Sequence, residues 1–423
     1  MRILYFNYQI SSFASIVRSL EYAKGAADEG HEVELCYLHP AFRPPESYYD
    51  LIAAYESPRL RVRYPPRKQA AAGAVKRPIP GKAADGKPDL RALYRQIAVS
   101  PRFIPQELKL VDRFRPDVLM ARSDPTLSFM ATARLRSLPL VLETDGPVEE
   151  MDRYWGVDSS WVRPLDSWRA RRADALLYIS EACRELWLSK RIRREKLFYT
   201  PNAAHPDRFR PQNPSVRREL RAKFGLDGNA KVIGFSGILR PWHGLDNLLA
   251  AALPLLEEDP DVRILLIGAV DGPGVLDRCG LPEAIRKERL VFTGPVPYAR
   301  MGDHIDLADC LALPYAHSTL FHFSPMKLFE GMSLGKVIVA PRMGQIKEML
   351  GDLSSPALYD PHGGVVALRE ALKEGLRRSS AAADGKVAGA DARARIEKAH
   401  TWAHRGKVVS QACEFALARK AAA

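Results

Sequence analysis

Twice along its length the chain alternates short apolar runs with stretches of helical period, and that alternation admits one class of fold. Residues 2–6 read as a strand, 12–29 as a helix and 32–38 as a second strand after a Gly30-His31 turn. Strand, helix and strand in this order form a βαβ unit, with parallel strands and the helix packed across one face of the sheet. The pattern continues with a helix at 105–114, a strand at 117–121, a helix at 125–136 and strands at 140–143, 175–179 and 197–199. It then starts afresh, with strands at 231–235, 262–267, 290–292, 310–313 and 337–340 and helices at 245–256 and 325–334. A chain of 423 residues exceeds one ordinary core, so two doubly wound α/β domains with a cleft between them are expected. No GxGxxG follows the first strand, which argues against a dinucleotide there.

Two stretches interrupt the alternation. Pro, Gly, Ala, Lys and Arg dominate between Pro58 and Pro88 without a hydrophobic period, so a flexible basic insertion is expected at about 58–100. Pro201, Pro206, Pro211 and Pro214 punctuate the second stretch. The expected division is a first domain at 1–205, a linker at 206–228 and a second domain at 229–400.

The net charge of +13 calls for a partner, and much of the excess lies between Arg59 and Arg115 and between Arg163 and Arg194. These stretches lack the interleaved aromatics or helix-turn-helix of a nucleic-acid reader, so no nucleic acid is expected. An anionic membrane surface and a phosphorylated substrate each explain the charge, as does an arginine-rich proteome. The five cysteines are scattered without a CxxC, and the first strand is no secretory signal. No apolar stretch approaches the roughly 20 residues of a membrane span. A soluble, cytoplasmic protein is expected, with peripheral contact to the inner face of a membrane as an option.

The helix expected at 325–334 has both ends marked. Ser324 suits the N-cap, Pro325 the first helical position, and Gly335 the C′ position that ends a helix. Lys327 falls in the first turn and Glu330 one turn later on the same face. A lysine there opposes the positive end of the helix dipole unless an anion binds, in which case ammonium and free backbone amides together make a phosphate site. The other reading is a surface helix with a solvated lysine and glutamate. Asp145, at the end of the strand at 140–143, either faces a cleft or belongs to an Asp-Gly turn. Trp161 and Trp168, one heptad apart, mark a buried helix face or a membrane or acceptor patch. Asp259-Pro260-Asp261 satisfies a metal-binding DxD formally but reads as a turn, and His400 and His404 lack a third ligand, so no metal is expected.

Several landmarks in order resemble the retaining glycosyltransferases of the glycosyltransferase-4 type. They are Tyr199-Thr200-Pro201-Asn202, Gly234-Phe235-Ser236-Gly237 with Trp242-His243-Gly244, Leu265-Leu266-Ile267-Gly268, Val291-Phe292-Thr293-Gly294-Pro295-Val296, Ala308-Asp309, Leu313-Pro314 and the helix with Lys327 and Glu330. The resemblance implies the GT-B fold, two doubly wound Rossmann-like domains facing a cleft. Thr401-Trp402 is similar to the point where the family's chain leaves for a final helix, so 401–423 is expected to cross back to the first domain.

The same resemblance implies transfer of a sugar from a nucleoside-diphosphate sugar to a glycan, a lipid-linked sugar or a small molecule, with retention and without metal or further cofactor. By it, Arg240, Lys327 and the helix start at Ser324, Pro325 and Met326 face the diphosphate, and Gly237 and His243 lie on the donor loop. His322 and Phe323 lie against the sugar, Gly294 and Val296 hold the base, and Glu330 takes the ribose. Asp145 stands where the family has a sugar-contacting histidine and would orient a hydroxyl. The chain departs from the family pattern where His322 replaces the first of two glutamates, where Ile238 and His243 fill the basic slots of the donor loop, and where Arg240 is displaced by two residues. A GT-B sugar-nucleotide epimerase and a non-catalytic sugar-nucleotide-binding protein are the alternatives.

Overall fold

The computed structural model describes residues 1–8, 13–39, 46–65, 100–122, 127–144, 146, 148–149, 160, 162–226, 228–237, 243–268, 281–317, 321–381 and 387–422. The chain divides into two units, Met1–Pro201 with Trp402–Ala423, and Asn202–Thr401.

The first unit holds seven strands: β1 (Arg2–Asn7), β2 (Glu32–Tyr37), β3 (Leu60–Arg63), β4 (Val118–Arg122), β5 (Leu140–Glu143), β6 (Ala175–Tyr178) and β7 (Leu197–Tyr199). Their order is β3-β2-β1-β4-β5-β6-β7, parallel throughout. Ile3, Leu4, Tyr5 and Phe6 are all buried, as strands covered on both faces require. The edge strand β3 lies where composition pointed to an insertion. Leu60 and Val62 turn inward and Arg61 outward, an alternation too short to register as a period. Residues 66–99, most of the expected insertion, lie outside the described residues.

The helix Trp402–Ala421 completes this unit by lying along Phe13–Asp28. The approach is close because both helices present a glycine. A Cβ on Gly406 would stand 2.5 Å from the Gly25 Cα. Trp402 meets Tyr22 edge-on at 6.2 Å, and the Tyr22 hydroxyl donates to the Thr200 carbonyl at 2.6 Å.

The second unit holds β8 (Lys231–Ser236), β9 (Val262–Ile267), β10 (Leu290–Phe292), β11 (Cys310–Ala312), β12 (Val337–Pro341) and β13 (Ala357–Tyr359). Their order is β10-β9-β8-β11-β12-β13, again all parallel. The helix Pro214–Lys223 ties onto this sheet through Arg217 and Arg221, which pair with Asp309 at 2.8 and 3.1 Å. Asp259-Pro260-Asp261 is a turn at the amino end of β9, where Asp259 accepts from the Asp261 amide at 2.9 Å and pairs with Lys231 at 2.7 Å.

Trp161 lies outside the described residues. Trp168 is 43% exposed, with the Arg172 guanidinium 6.0 Å from its ring centre, so it does not belong to a buried helix face. No helix among the described residues is long and apolar enough to cross a membrane.

Candidate active site

In each sheet the strand order reverses beside the first strand, and ligands of doubly wound sheets bind beyond the carboxyl ends at that point. In the second unit the reversal falls between β8 and β11. The helix Met326–Ser333 begins beside it, and all eight of its residues are buried. That removes the reading of a surface helix with solvated charges.

Lys327 points at the reversal. Its Nζ lies 4.5 Å from the centre of the Phe235 ring at the end of β8 and 5.7 Å from that of Tyr315 beyond β11. The ammonium has no hydrogen-bond partner among the described residues. Burial pushes it down to about 7, against the pull of Glu330. Gly237 follows β8 with φ of 113°, and a Cβ on it would stand 3.6 Å from Nζ. A side chain at that position would therefore lie in van der Waals contact with the ammonium, and glycine leaves only backbone beside it.

Glu330 is equally buried, and burial pushes its carboxyl up to about 7. Lys327, Arg208 and the Tyr298 hydroxyl oppose that shift, in decreasing order. The Arg208 guanidinium lies 4.9 Å over the Tyr298 ring. No motif marks Arg208 or Tyr298, and only the fold brings them to Glu330.

The helix ends differ in how well local preference foresees them. Gly335, φ 65°, closes the C-terminus as expected. Its amide donates to Met332 O at 2.9 Å and that of Lys336 to Gly331 O at 3.0 Å, the paired bonds of a Schellman end. At the other end Ser324 is not the N-cap. Pro325 holds that position (φ −71°, ψ 117°) and no side chain caps the helix. The Ser324 hydroxyl instead accepts from the Asn202 amide at 2.7 Å, and its carbonyl accepts from Asn202 Nδ2.

The surrounding loops bring several of the remaining residues together. His243 meets the Tyr315 ring edge-on at 6.1 Å. Gly244 after it, φ 72°, starts the helix Leu245–Glu258 in a place where a Cβ would be 1.8 Å from the Pro314 carbonyl oxygen. Phe323 is half-buried, stacked on Tyr315 at 6.4 Å and edge-on to Phe321 at 5.4 Å. The His322 ring, 1% exposed, lies 4.4 Å from that of Phe323. Beyond β10, the Gly268 amide donates to Thr293 Oγ1 at 3.2 Å, which donates to Gly294 O at 2.9 Å. A Cβ on Gly268 would stand 3.3 Å from the Gly237 carbonyl oxygen, so the loop carrying Gly294 and Val296 joins the one carrying Gly237. Asp145 and Arg240 lie outside the described residues.

In the first unit the reversal falls between β1 and β4. Glu143, the last residue of β5, is buried there between Arg18 at 2.8 Å and Arg122 at 2.5 Å, with the Tyr5 hydroxyl also donating to it. Burial pushes its carboxyl up, and the two guanidinium groups act against that. These residues sit inside apolar strands and an ordinary helix pattern, so nothing in the sequence singles them out.

Comparison with known proteins agrees with this architecture. The family model described as glycosyl transferases group 1 matches residues 230–378, and that described as glycosyl transferase 4-like domain matches residues 15–203. The chain belongs to this glycosyl transferase family. A D-inositol 3-phosphate glycosyltransferase of Segniliparus rotundus is 30% identical over 174 residues, 39% of this chain and 36% of that protein. A sulfoquinovosyl transferase of Arabidopsis thaliana is 26% identical over 267 residues, 61% of this chain and 49% of that protein. The chain thus spans less than half the length of these relatives. Among solved structures, Anabaena HepE in complex with UDP-glucose is similar with a TM-score of 0.69 at 16% identity, covering 97% of this chain and 98% of that one. Sucrose-phosphate synthase from Thermosynechococcus elongatus gives 0.70 at 15% identity over 100% of both chains. The fold is GT-B.

Proposed function

We propose that this glycosyl transferase moves a sugar from a nucleoside-diphosphate sugar to an acceptor, with retention and without a metal. The observation that carries the reading is Lys327, a buried ammonium without a hydrogen-bond partner among the described residues, in the first turn of a helix without a side-chain cap and beside Gly237. A bound diphosphate supplies the missing counter-charge. As the bond to the sugar breaks, negative charge grows on the leaving phosphate oxygen, and a fixed cation and helix amides lower the barrier most at that moment. Glu330 accepts from ribose hydroxyls one turn further on, Arg240 adds a second positive group, and Gly294 and Val296 hold the base. With the attack on the leaving group's own face, the departing phosphate takes the acceptor's proton, and Asp145 orients a hydroxyl.

The donor to try first is a UDP-sugar, because HepE is similar in fold and its complexes hold UDP and UDP-glucose. The acceptor is a glycan, a lipid-linked sugar or a small molecule. The setting is the cytoplasm, with the exposed Trp168 and the neighbouring Arg171 and Arg172 supporting contact with an anionic membrane surface.

A melting-temperature screen against UDP-, GDP-, ADP- and TDP-sugars tests the donor, and transfer assays with the sugar that binds test the reaction. Product of unchanged anomeric configuration, formed in the presence of a chelator, is expected. A changed sugar formed without any acceptor would mean an epimerase, and a melting shift without turnover would mean a binding protein. No shift with any of the four would remove the reading.

A further inference from the structure

Local preference puts Ser324 at the N-cap and Pro325 at the first helical position, yet the helix begins one residue later, at Met326. An N-cap serine acts through two groups. Its carbonyl accepts the first bond of the helix, and its hydroxyl accepts from an amide of the first turn. Asn202 engages both. Its backbone amide donates to Ser324 Oγ at 2.7 Å, and its side-chain Nδ2 donates to the Ser324 carbonyl. Leu328 N accordingly bonds Pro325 O at 3.0 Å, and the helix start is left without a side-chain cap. Lys327, whose buried ammonium has no hydrogen-bond partner among the described residues, belongs to this same turn.

We infer that Asn202 is a positioning residue for the anionic ligand: by holding both groups of Ser324 it keeps the serine off the helix and leaves the first-turn amides to phosphate oxygens. This rests on the reading of the site as one for a nucleoside diphosphate. Asn202 itself need not touch that ligand. Without its side chain the Ser324 carbonyl is freed to turn to Leu328, and that turn carries the hydroxyl away from the backbone amide of residue 202, which the substitution leaves in place, to an amide of the first turn. The protein then consumes the donors that the anion needs.

Titration calorimetry tests the inference. UDP, GDP and ADP are titrated into the unmodified protein, and the tightest is carried forward with its nucleoside. Asn202→Ala and the nearly isosteric Asn202→Asp should each weaken the diphosphate about tenfold, the worth of one helix cap, and leave the nucleoside unchanged. Asn202→Ala/Ser324→Ala should recover much of that loss, because alanine has no hydroxyl to offer the helix. Equal losses for diphosphate and nucleoside, or a double variant no better than the single one, would overturn the inference.

Hydrogen exchange in the unmodified protein reads the same point without a substitution. The Met326 and Lys327 amides should exchange quickly in the empty protein and slowly with diphosphate bound, and protection before ligand is added would overturn it. Lys327→Ala separates this inference from the site assignment. Unchanged diphosphate affinity in Lys327→Ala, or no binding of any of the three diphosphates, removes the site assignment and this inference with it. A loss in Lys327→Ala with unaffected Asn202 variants removes the inference alone.

Discussion

Lys327 and Glu330 stand one turn apart on a helix with no exposed residue, and burial drives both toward neutrality from opposite sides. Each pulls against the other's shift and Arg208 adds to that pull at Glu330, but burial outweighs both, a cost that a ligand with a diphosphate at one end and hydroxyls at the other would relieve.

Lys327→Ala should weaken a nucleoside diphosphate by about ten- to a hundredfold, the loss of a charged hydrogen bond worth about 1.5–3 kcal/mol. The nucleoside should bind as before, and high salt should shrink the penalty. Calorimetry with nucleoside, monophosphate and diphosphate checks it. Equal losses for all three would make the lysine structural.

The pH dependence follows from the sign of the Lys327 shift. With burial holding the empty-site ammonium down at about 7, the lysine is largely neutral at about pH 8, whereas a bound diphosphate keeps it charged. Binding should therefore take up a proton at that pH, and affinity should fall as pH rises further. In Glu330→Gln, which removes the opposing proton release, heats measured in buffers of different ionisation enthalpy should show the uptake. The same heat in every buffer would contradict it.

Lys327→Met should stabilise the unliganded protein by about 1–2 kcal/mol while weakening the diphosphate as Lys327→Ala does. The lysine's folded value lies below its ordinary 10.5, so its cost to stability is fully present below about 7 and disappears as pH rises through 10.5. Melts at two pH values should show the larger gain at the lower one, and a destabilised variant would show that the stem is needed for packing.

Gly406→Ala should destabilise the first unit by about 1–3 kcal/mol, because the new methyl would meet the Gly25 Cα at 2.5 Å and push the two helices apart. Calorimetric melting should show an earlier transition for that unit and an unmoved one for the second. An unchanged scan would mean the helices part at no cost.

The sequence conveyed the large features where the physics is local. Apolar runs of strand length mark most of the strands, and Gly335 marks a helix end because only the positive φ there demands glycine. It failed where two distant segments compete for the same group. Ser324 has every local reason to cap its helix, and Asn202, far off in the chain, overrides them. Arg208 and Tyr298 were equally invisible, since a cation over a ring leaves no periodic trace. Strand β3 alternates, with Arg61 outward between Leu60 and Val62, so it offers no continuous apolar run within a stretch dominated by Pro and basic residues.

The closing helix has a consequence for how the molecule is made. The second unit is one unbroken stretch, Asn202–Thr401, but the first needs Trp402 and the residues after it. On a ribosome the unit begun first therefore closes last. Until the final helix emerges, the Tyr22 and Gly25 side of the Phe13–Asp28 helix is bare while some two hundred residues are added, roughly ten to forty seconds at ordinary elongation rates. A chain stalled or truncated just short of Trp402 would hold a finished second unit joined to an unfinished first one, exposing apolar surface of the kind that chaperones hold and proteases find.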